Sequence, residues 1–287
     1  MKKRLFLAIV EGLGIGPAPD SVSYGDSDAD TLKAIYEKGK LNIPFLRSLG
    51  LFNIPDISVG RRACVVSGAF GKCEPASVGK GTLEGYLELT GNTVREPLSV
   101  SDVSGVDGFR FVARHGRTIF DLLRAAGKDI IAIGRAAGYF GIPGSSSTIP
   151  ASDPRECLNA AANAVKSSFD GVCVVSLQIP RADKDREFNA SMMSRSLTYL
   201  DKRISKFLQL MHPVDMLIIA ALHGAGSADG GMTSRECVPV LFCSETVRRA
   251  HAIEGVHKIA DIGATILDFF DIENSLDGTS MLPSILK

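Results

Sequence analysis

The sequence has neither an excess of charge of one sign nor a long hydrophobic run. Its 32 Lys and Arg residues balance 32 Asp and Glu residues, so no global field attracts nucleic acid or a membrane surface. No apolar run reaches the roughly 18 residues that a transmembrane helix needs. The short run from Leu5 to Val10 is followed by Glu11, which indicates a first strand instead of a signal-peptide core. The composition therefore favours a soluble protein without nucleic-acid or membrane partners.

Cysteine pairs at a metal-binding or redox spacing are also missing. None of the six cysteines belongs to a Cys-x-x-Cys pair, and Cys173 and Cys243 lie in strand-like apolar runs. Free thiols buried in a reducing cytoplasm fit this distribution better than disulfides do. We therefore expect a cytoplasmic protein without disulfide bonds.

Apolar runs that alternate with helical segments indicate an α/β fold. A continuous apolar run is typical of a strand that is buried on both faces of a parallel sheet. Five runs have this character: Leu5–Val10, Ile130–Ile133, Val172–Val175, Leu217–Ala220 and Val238–Phe242. Helices are expected at Thr118–Ala126, Pro154–Ser168, Arg186–Met211 and Ala260–Phe270. The alternation predicts a three-layer α/β core around a mostly parallel sheet.

The stretch from Ser77 to Gly91 is the most distinctive part of the sequence. Gly79 and Gly81 allow a tight turn that delivers Thr82 to the start of a short helix. A hydroxyl at that position can help to hold a phosphoryl group against unpaired backbone N–H groups. It can equally serve as an ordinary helix cap. A P-loop is excluded, because that motif needs Ser or Thr directly after the lysine, and Gly81 follows Lys80.

Glu11 stands at the carboxyl end of the first predicted strand, beside a glycine-rich loop. In open α/β sheets this edge is where ligands bind. A dinucleotide fingerprint is excluded, because Pro17 occupies the position of a required glycine. Glu11 is therefore a candidate ligand-binding residue, and a solvated acid at a strand end is the alternative.

A series of short motifs extends along almost the whole chain. They are Gly14–Gly16 with Ala18–Asp20, Gly25–Asp26 with Ala29–Thr31, Leu41–Pro44, Ser77–Thr82, Asp129–Gly134, Asp215–Ile219, Leu222–Gly224, Ser234–Val240, Ala260–Gly263 and Gly278–Ser280. In this order they resemble the phosphopentomutase family of the alkaline phosphatase superfamily. The resemblance implies an alkaline phosphatase-like fold.

The resemblance also implies a reaction. The family moves a phosphate between the C1 and C5 oxygens of ribose or deoxyribose, and two divalent ions, usually manganese, activate the threonine that carries the phosphate. That threonine corresponds to Thr82, a metal-binding histidine to His223 and the first-strand aspartate to Glu11. The resemblance therefore implies Thr82 as the catalytic residue, with Glu11, Thr82 and His223 as metal ligands.

The other ligand positions depart from the family pattern. Leu222 stands where an aspartate should precede His223, and Thr233 stands where another histidine is expected. An ungapped alignment places Ile179 and Arg186 at two further ligand positions. Because a metal site needs several anionic or imidazole ligands, a full two-metal centre is not expected. One divalent ion, Mn²⁺ or Mg²⁺, is compatible with the ligands that are left.

Two functional hypotheses stay open. The protein is a noncatalytic relative that binds a phosphorylated or anionic small molecule, with Lys80, Gly81 and Arg186 as ligand-binding residues. Alternatively, it is an active phosphomutase or phosphatase with a reduced metal site, in which Asp183 or Asp185 replaces a lost ligand. A third idea is a structural subunit that acts through an unidentified protein partner.

The family's cap domain is expected to be truncated. The chain passes from Gly91 to the next core helix near Thr118 in about two dozen residues, too few to bury a core of their own. We therefore predict that residues 1–287 form a single alkaline phosphatase-like domain, with residues 92–116 as the remnant of a cap insertion.

Overall fold

A computed structural model gives the fold, and it describes residues 2–98, 116–139, 147–179, 188–226 and 233–287. The strands in these ranges are β1 (Arg4–Glu11), β2 (Ala69–Glu74), β3 (Asp129–Ile133), β4 (Ser147–Ile149), β5 (Gly171–Gln178), β6 (Met216–Ala220), β7 (Val238–Cys243), β8 (His251–Ala252) and β9 (His257–Lys258). Together they form one sheet in the order β4-β3-β5-β1-β6-β7-β2-β8, and β9 pairs with β2.

Strand β1 lies inside this sheet, parallel to β5 on one side and to β6 on the other. Leu5 is opposite Val172 in β5 and opposite Met216 in β6. Every residue from Leu5 to Val10 is at most 4% exposed. Because successive side chains of a strand point to opposite faces, both faces of the sheet are covered. The predicted α/β fold class with a mostly parallel sheet is confirmed.

Helices connect and cover the strands. They are α1 (Thr31–Lys38), α2 (Pro44–Ser48), α3 (Thr82–Leu89), α4 (Ile119–Ala125), α5 (Arg135–Tyr139), α6 (Pro154–Lys166), α7 (Ala190–Leu208), α8 (Ile259–Phe269) and α9 (Leu282–Ile285). Their ends follow local sequence signals. Asp153 caps α6, with Pro154 in its first turn, and Asn189 caps α7 by accepting the N–H of Met192. The long helix therefore begins at Ala190, whereas its predicted start at Arg186 lies outside the described residues.

The antiparallel part of the sheet includes β2, which is not among the five strands that the sequence predicts. Strand β7 runs antiparallel to both β6 and β2, and β2 lacks the continuous apolar run that identified the other strands. Its sequence, Ala-Phe-Gly-Lys-Cys-Glu, mixes apolar and charged residues. It lies near one edge of the sheet, beside the two-residue strands β8 and β9.

The predicted cap remnant, residues 92–116, falls mainly outside the described residues, which end at residue 98 and resume at residue 116. The cap remnant and the single-domain organisation therefore stay predictions. None of the described helices combines the length and the hydrophobicity that a membrane crossing requires.

The cysteines should differ sharply in reactivity. Cys64 is exposed, whereas Cys73, Cys157, Cys173 and Cys237 are buried. Burial raises the pKa of the Cys157 and Cys237 thiols to about 11, and it raises the pKa of Cys73 and Cys173 further. Because the thiolate is the reactive form, we expect a fast phase of about one thiol with Ellman's reagent. Cys64→Ser should remove this phase, and a fast phase that persists in that variant would contradict the structure.

Candidate functional site

Thr82 is the first residue of α3, and a buried acid holds the turn that precedes it. Glu88, in the same helix, is fully buried. Its carboxylate accepts the N–H groups of Ala76 and Ser77, at 3.0 and 2.7 Å, and of Ile259 at 3.2 Å. This carboxylate ties the turn before Thr82 to α3 and to the start of α8.

Arg235 holds the same turn from the other side. Its guanidinium donates to the carbonyl oxygens of Pro75, Ser77 and Gly79 at 2.6 to 2.8 Å. Two further N–H groups bind the carboxylate of Asp20, and Arg235 is only 3% exposed. The hydrogen bonds from Arg235 oppose the effect of burial and hold the pKa of Asp20 below its usual range. The backbone that leads to Thr82 is therefore fixed by contacts within the protein.

Thr82 and His223, which the resemblance assigned to one site, are in contact. Thr82 Oγ1 lies 3.1 Å from His223 Nε2, and His223 Nδ1 lies 2.7 Å from the carbonyl oxygen of Gly224. A carbonyl oxygen can only accept, so Nδ1 carries the hydrogen of the neutral ring. When the ring is neutral, Nε2 accepts the hydrogen of the Thr82 hydroxyl. The arrangement orients the hydroxyl towards a base.

Glu11 has a different set of partners. It is 1% exposed, and its Oε1 accepts from the hydroxyl of Tyr86 at 3.0 Å and from the hydroxyl of Ser176 at 2.5 Å. Its Oε2 is 3.2 Å from Nη1 of Arg135. Tyr86 lies four residues, about one helical turn, after Thr82. Helix α3 therefore contacts His223 through its first residue and Glu11 through its next turn.

Gly134 explains how Arg135 reaches Glu11. Its φ of +77° is in the region that favours glycine. A Cβ at this position would lie 2.7 Å from the carbonyl oxygen of Ser176 and 2.9 Å from Cys157 Sγ. The absence of a side chain therefore lets the end of β3 turn tightly against β5, and the next residue is Arg135.

A second buried acid, Glu236, joins the loops around the site. Its carboxylate accepts from the hydroxyls of Thr31 and Ser234, both at 2.6 Å, and from the N–H groups of Gly16 and Thr31. Burial raises the pKa of Glu236, and these hydrogen bonds offset part of the effect. The loop after β1, the start of α1 and the loop before β7 are thereby held together. Gly224 approaches this acid so closely that a Cβ there would be 2.1 Å from Oε1.

Two of the predicted ligand-binding residues have partners within the chain. Lys80 Nζ lies 3.1 Å from Asp26 Oδ2 and 3.1 Å from the carbonyl oxygen of Tyr24. Burial raises the pKa of Glu84, and the N–H of Gly81 lowers it in part by donating to the carboxylate. These contacts stabilise the turn itself. Arg186, the third predicted ligand-binding residue, lies outside the described residues, as do Asp183 and Asp185.

Two residues at expected ligand positions, Leu222 and Ile179, carry no metal-binding atoms. Leu222 is 2% exposed and Ile179 is 1% exposed, and both belong to the apolar core. Leu222 packs against α3, where a Cβ on Gly85 would be 2.8 Å from Leu222 Cβ. In the described part of the chain no three His, Cys, Asp or Glu side chains are grouped so that they could hold a metal ion. Glu11 has its carboxylate oxygens engaged by two hydroxyls and a guanidinium.

Sequence reasoning missed Tyr86, Ser176 and Arg135, and weak signals for them exist. Tyr86 lies on the same face of α3 as Thr82 by helical spacing. Arg135 and Ser176 occur at the carboxyl ends of β3 and β5, the strands that lead to the same edge as Glu11. None of the three residues is identified by type alone.

Comparisons with known proteins give a family match and a shared fold. Residues 139–274 match the family model described as Metalloenzyme superfamily. A protein in the alkaline phosphatase superfamily from Vibrio parahaemolyticus has a TM-score of 0.61 at 13% identity, covering 95% of this chain and 67% of that one. The lipoteichoic acid synthase LtaP from Listeria monocytogenes has a TM-score of 0.62 at 10% identity, covering 98% and 75%. Residues 139–274 therefore resemble the Metalloenzyme superfamily, and the chain has an alkaline phosphatase-like fold.

The similarity to individual proteins is more specific. The phosphopentomutase of Limosilactobacillus reuteri is 24% identical over 392 aligned positions, covering 99% of this chain and 98% of the relative. The phosphopentomutase of Lachnoclostridium phytofermentans is 22% identical, covering 99% of this chain and all of the relative. The chain is therefore similar to phosphopentomutases over almost its whole length, and together with the Metalloenzyme match this similarity implies metal dependence.

Proposed function

We propose that the protein is a degenerate relative of phosphopentomutase that does not carry out two-metal phosphoryl transfer and that binds a small phosphorylated or anionic molecule. The observation that carries this proposal is the replacement of metal ligands by core residues. Leu222, directly before His223, is buried against α3. A cytoplasmic location, without nucleic-acid or membrane partners, belongs to the same proposal.

The missing side chains have a large energetic consequence. In two-metal sites the ions neutralise the charge of the phosphoryl group and activate the attacking oxygen. A threonine hydroxyl without such help is a weak nucleophile at neutral pH. The positive end of α3 contributes on the order of 1 kcal/mol, whereas each ~1.4 kcal/mol changes a rate tenfold. We therefore expect turnover orders of magnitude below that of a two-metal enzyme.

The length of the chain supports the same proposal. The alignment with the L. reuteri enzyme extends over 392 positions, but the chain has 287 residues. More than a hundred aligned positions therefore have no residue of this chain opposite them. We propose that the difference corresponds to a truncated cap, with residues 92–116 as its remnant, and that contacts to the sugar are lost with it.

One observation favours a second candidate function. Thr82 Oγ1 donates towards His223 Nε2 at 3.1 Å, which is the geometry of a nucleophile beside a base. A phosphomutase or phosphatase with a reduced site, with Asp183 or Asp185 as a replacement ligand for one Mn²⁺ or Mg²⁺, would use this pair.

Metal content and turnover distinguish the two functions. After dialysis against Mn²⁺ and removal of free metal, the bound metal per chain is measured. Ribose-1-phosphate turnover is then compared between the wild type, Thr82→Ala and a matched control, Thr279→Ala, at an exposed position. We expect no stoichiometric metal and no turnover that depends on Thr82. Two bound ions per chain, with turnover lost only in Thr82→Ala, would overturn the proposal, and one ion with such turnover would establish the second candidate.

A further inference from the structure

Arg135 places a permanent positive charge beside the buried acid that the resemblance implies as a metal ligand. Its Nη1 is 3.2 Å from Glu11 Oε2. The side chain of Glu11 is 1% exposed, whereas that of Arg135 is 41% exposed. The ion pair therefore joins a buried carboxylate to a partly exposed guanidinium.

Both carboxylate oxygens of Glu11 have hydrogen-bond partners within the protein. Oε1 accepts two hydroxyl groups, from Tyr86 and Ser176, and Oε2 faces the guanidinium. A buried carboxylate is costly unless it is paired and hydrogen-bonded. Arg135 supplies the opposite charge. Because the pair is partly exposed, water screens the attraction between the two charges more than it would in a fully buried pair.

The guanidinium has more donors than Glu11 uses. Arginine carries five N–H groups in a fixed, planar fork. In the part of the chain that the structure describes, the hydrogen-bond partner of this guanidinium is Glu11. Its exposed edge lies at the carboxyl end of the sheet, where ligands of open α/β folds bind.

We propose that Arg135 is an anion-binding residue that bridges Glu11 and the phosphate or carboxylate of a small ligand. A divalent ion at a carboxylate would connect the same two partners, and the guanidinium replaces it with directed hydrogen bonds. Glu11 acts as the brace that fixes the orientation of the fork. This inference rests on the proposed function, because it assigns a residue to the anionic ligand named there.

Gly134 and Tyr86 place this residue close to the other candidate groups. Gly134 directs the chain against Ser176, which brings Arg135 to Glu11. Tyr86 connects Glu11 to α3, the helix that begins with Thr82. An anion on the exposed edge of Arg135 would therefore lie on the side of the sheet that carries the Thr82–His223 contact.

Inorganic phosphate, titrated in the presence of EDTA, tests the inference through the thermal unfolding temperature and calorimetric binding. The wild type is expected to show saturable stabilisation that weakens with added salt. Arg135→Met should reduce phosphate affinity at least tenfold, and Arg135→Lys should retain part of it. Arg155→Met removes an exposed arginine in the first turn of α6 and should leave phosphate affinity unchanged.

A second variant keeps the test meaningful if Arg135→Met does not fold. Glu11→Gln/Arg135→Met leaves no unpaired buried charge and should fold but still lose phosphate binding. Equal phosphate affinity in this double variant and in the wild type would overturn the inference. A wild type that does not respond to phosphate would overturn it as well. Metal content and turnover are measured separately, so bound metal with Thr82-dependent turnover would overturn the noncatalytic proposal without deciding the role of Arg135.

Discussion

Arg235→Ala is expected to lower the free energy of unfolding by about 3–5 kcal/mol, because three carbonyl groups lose their donor at a cost of roughly 1–3 kcal/mol each. The guanidinium is 3% exposed and donates to three backbone carbonyls and to Asp20. Asp20 is 49% exposed, so water can solvate its carboxylate when the arginine is removed. The main loss therefore comes from the carbonyl oxygens of Pro75, Ser77 and Gly79, which are left without their donor.

Denaturant unfolding at equilibrium measures this loss. Arg155→Ala, at an exposed position in α6, provides the matched control and should change stability by less than about 0.5 kcal/mol. Arg235→Lys keeps the charge but cannot reach three carbonyls with a planar fork, so it should recover only a minor part. A loss below about 1 kcal/mol in Arg235→Ala would contradict the role of this residue in holding the turn.

Gly134→Ala is expected to destabilise the protein by about 2–5 kcal/mol, the sum of two parts. One part is backbone strain, because φ is +77° and a left-handed conformation costs an ordinary residue roughly 1–2 kcal/mol. The other part is overpacking of about 1–3 kcal/mol, because the new Cβ would lie 2.7 Å from the Ser176 carbonyl oxygen. The backbone cannot relax without moving β3 away from β5.

Gly138 offers a control in α5, the short helix that begins directly after Gly134. Among the described residues, a Cβ at Gly138 meets no atom within 4 Å, and its φ is not positive. Gly138→Ala should therefore be neutral or stabilising by up to about 1 kcal/mol. The two alanine variants are compared by their denaturation midpoints. Similar stability of both variants would show that the tight turn after β3 does not depend on glycine.

The sequence identified the strands that are buried on both faces, because a strand covered on both sides must be apolar at every position. Leu5–Val10 and Val172–Val175 are examples. Strand β2 escaped this criterion, because Gly71 and Lys72 interrupt its apolar pattern. The direction of β7 is also not written in its composition, since the same apolar run fits a parallel or an antiparallel neighbour.

The site was predictable to the extent that it follows strand ends and helix starts. Thr82 begins a helix after a glycine-rich turn, whereas the resemblance alone pointed to His223, and the two side chains are in contact. The pairing of Glu11 with Arg135 could not be derived, because it depends on the turn at Gly134 and on the spacing of β3, β5 and β1. The resemblance implied that Glu11 is a metal ligand. In the structure its carboxylate contacts a guanidinium and two hydroxyls.

The position of β1 has a consequence for how the chain folds. Leu5 is synthesised long before Val172 and Met216, which are its neighbours in the sheet. The central strand therefore stays unpaired until both of these segments have emerged, and its apolar run is open to other contacts during that time. Because pairing between such distant segments is slow, closure of the sheet around its own first strand is expected to be the slow step of folding.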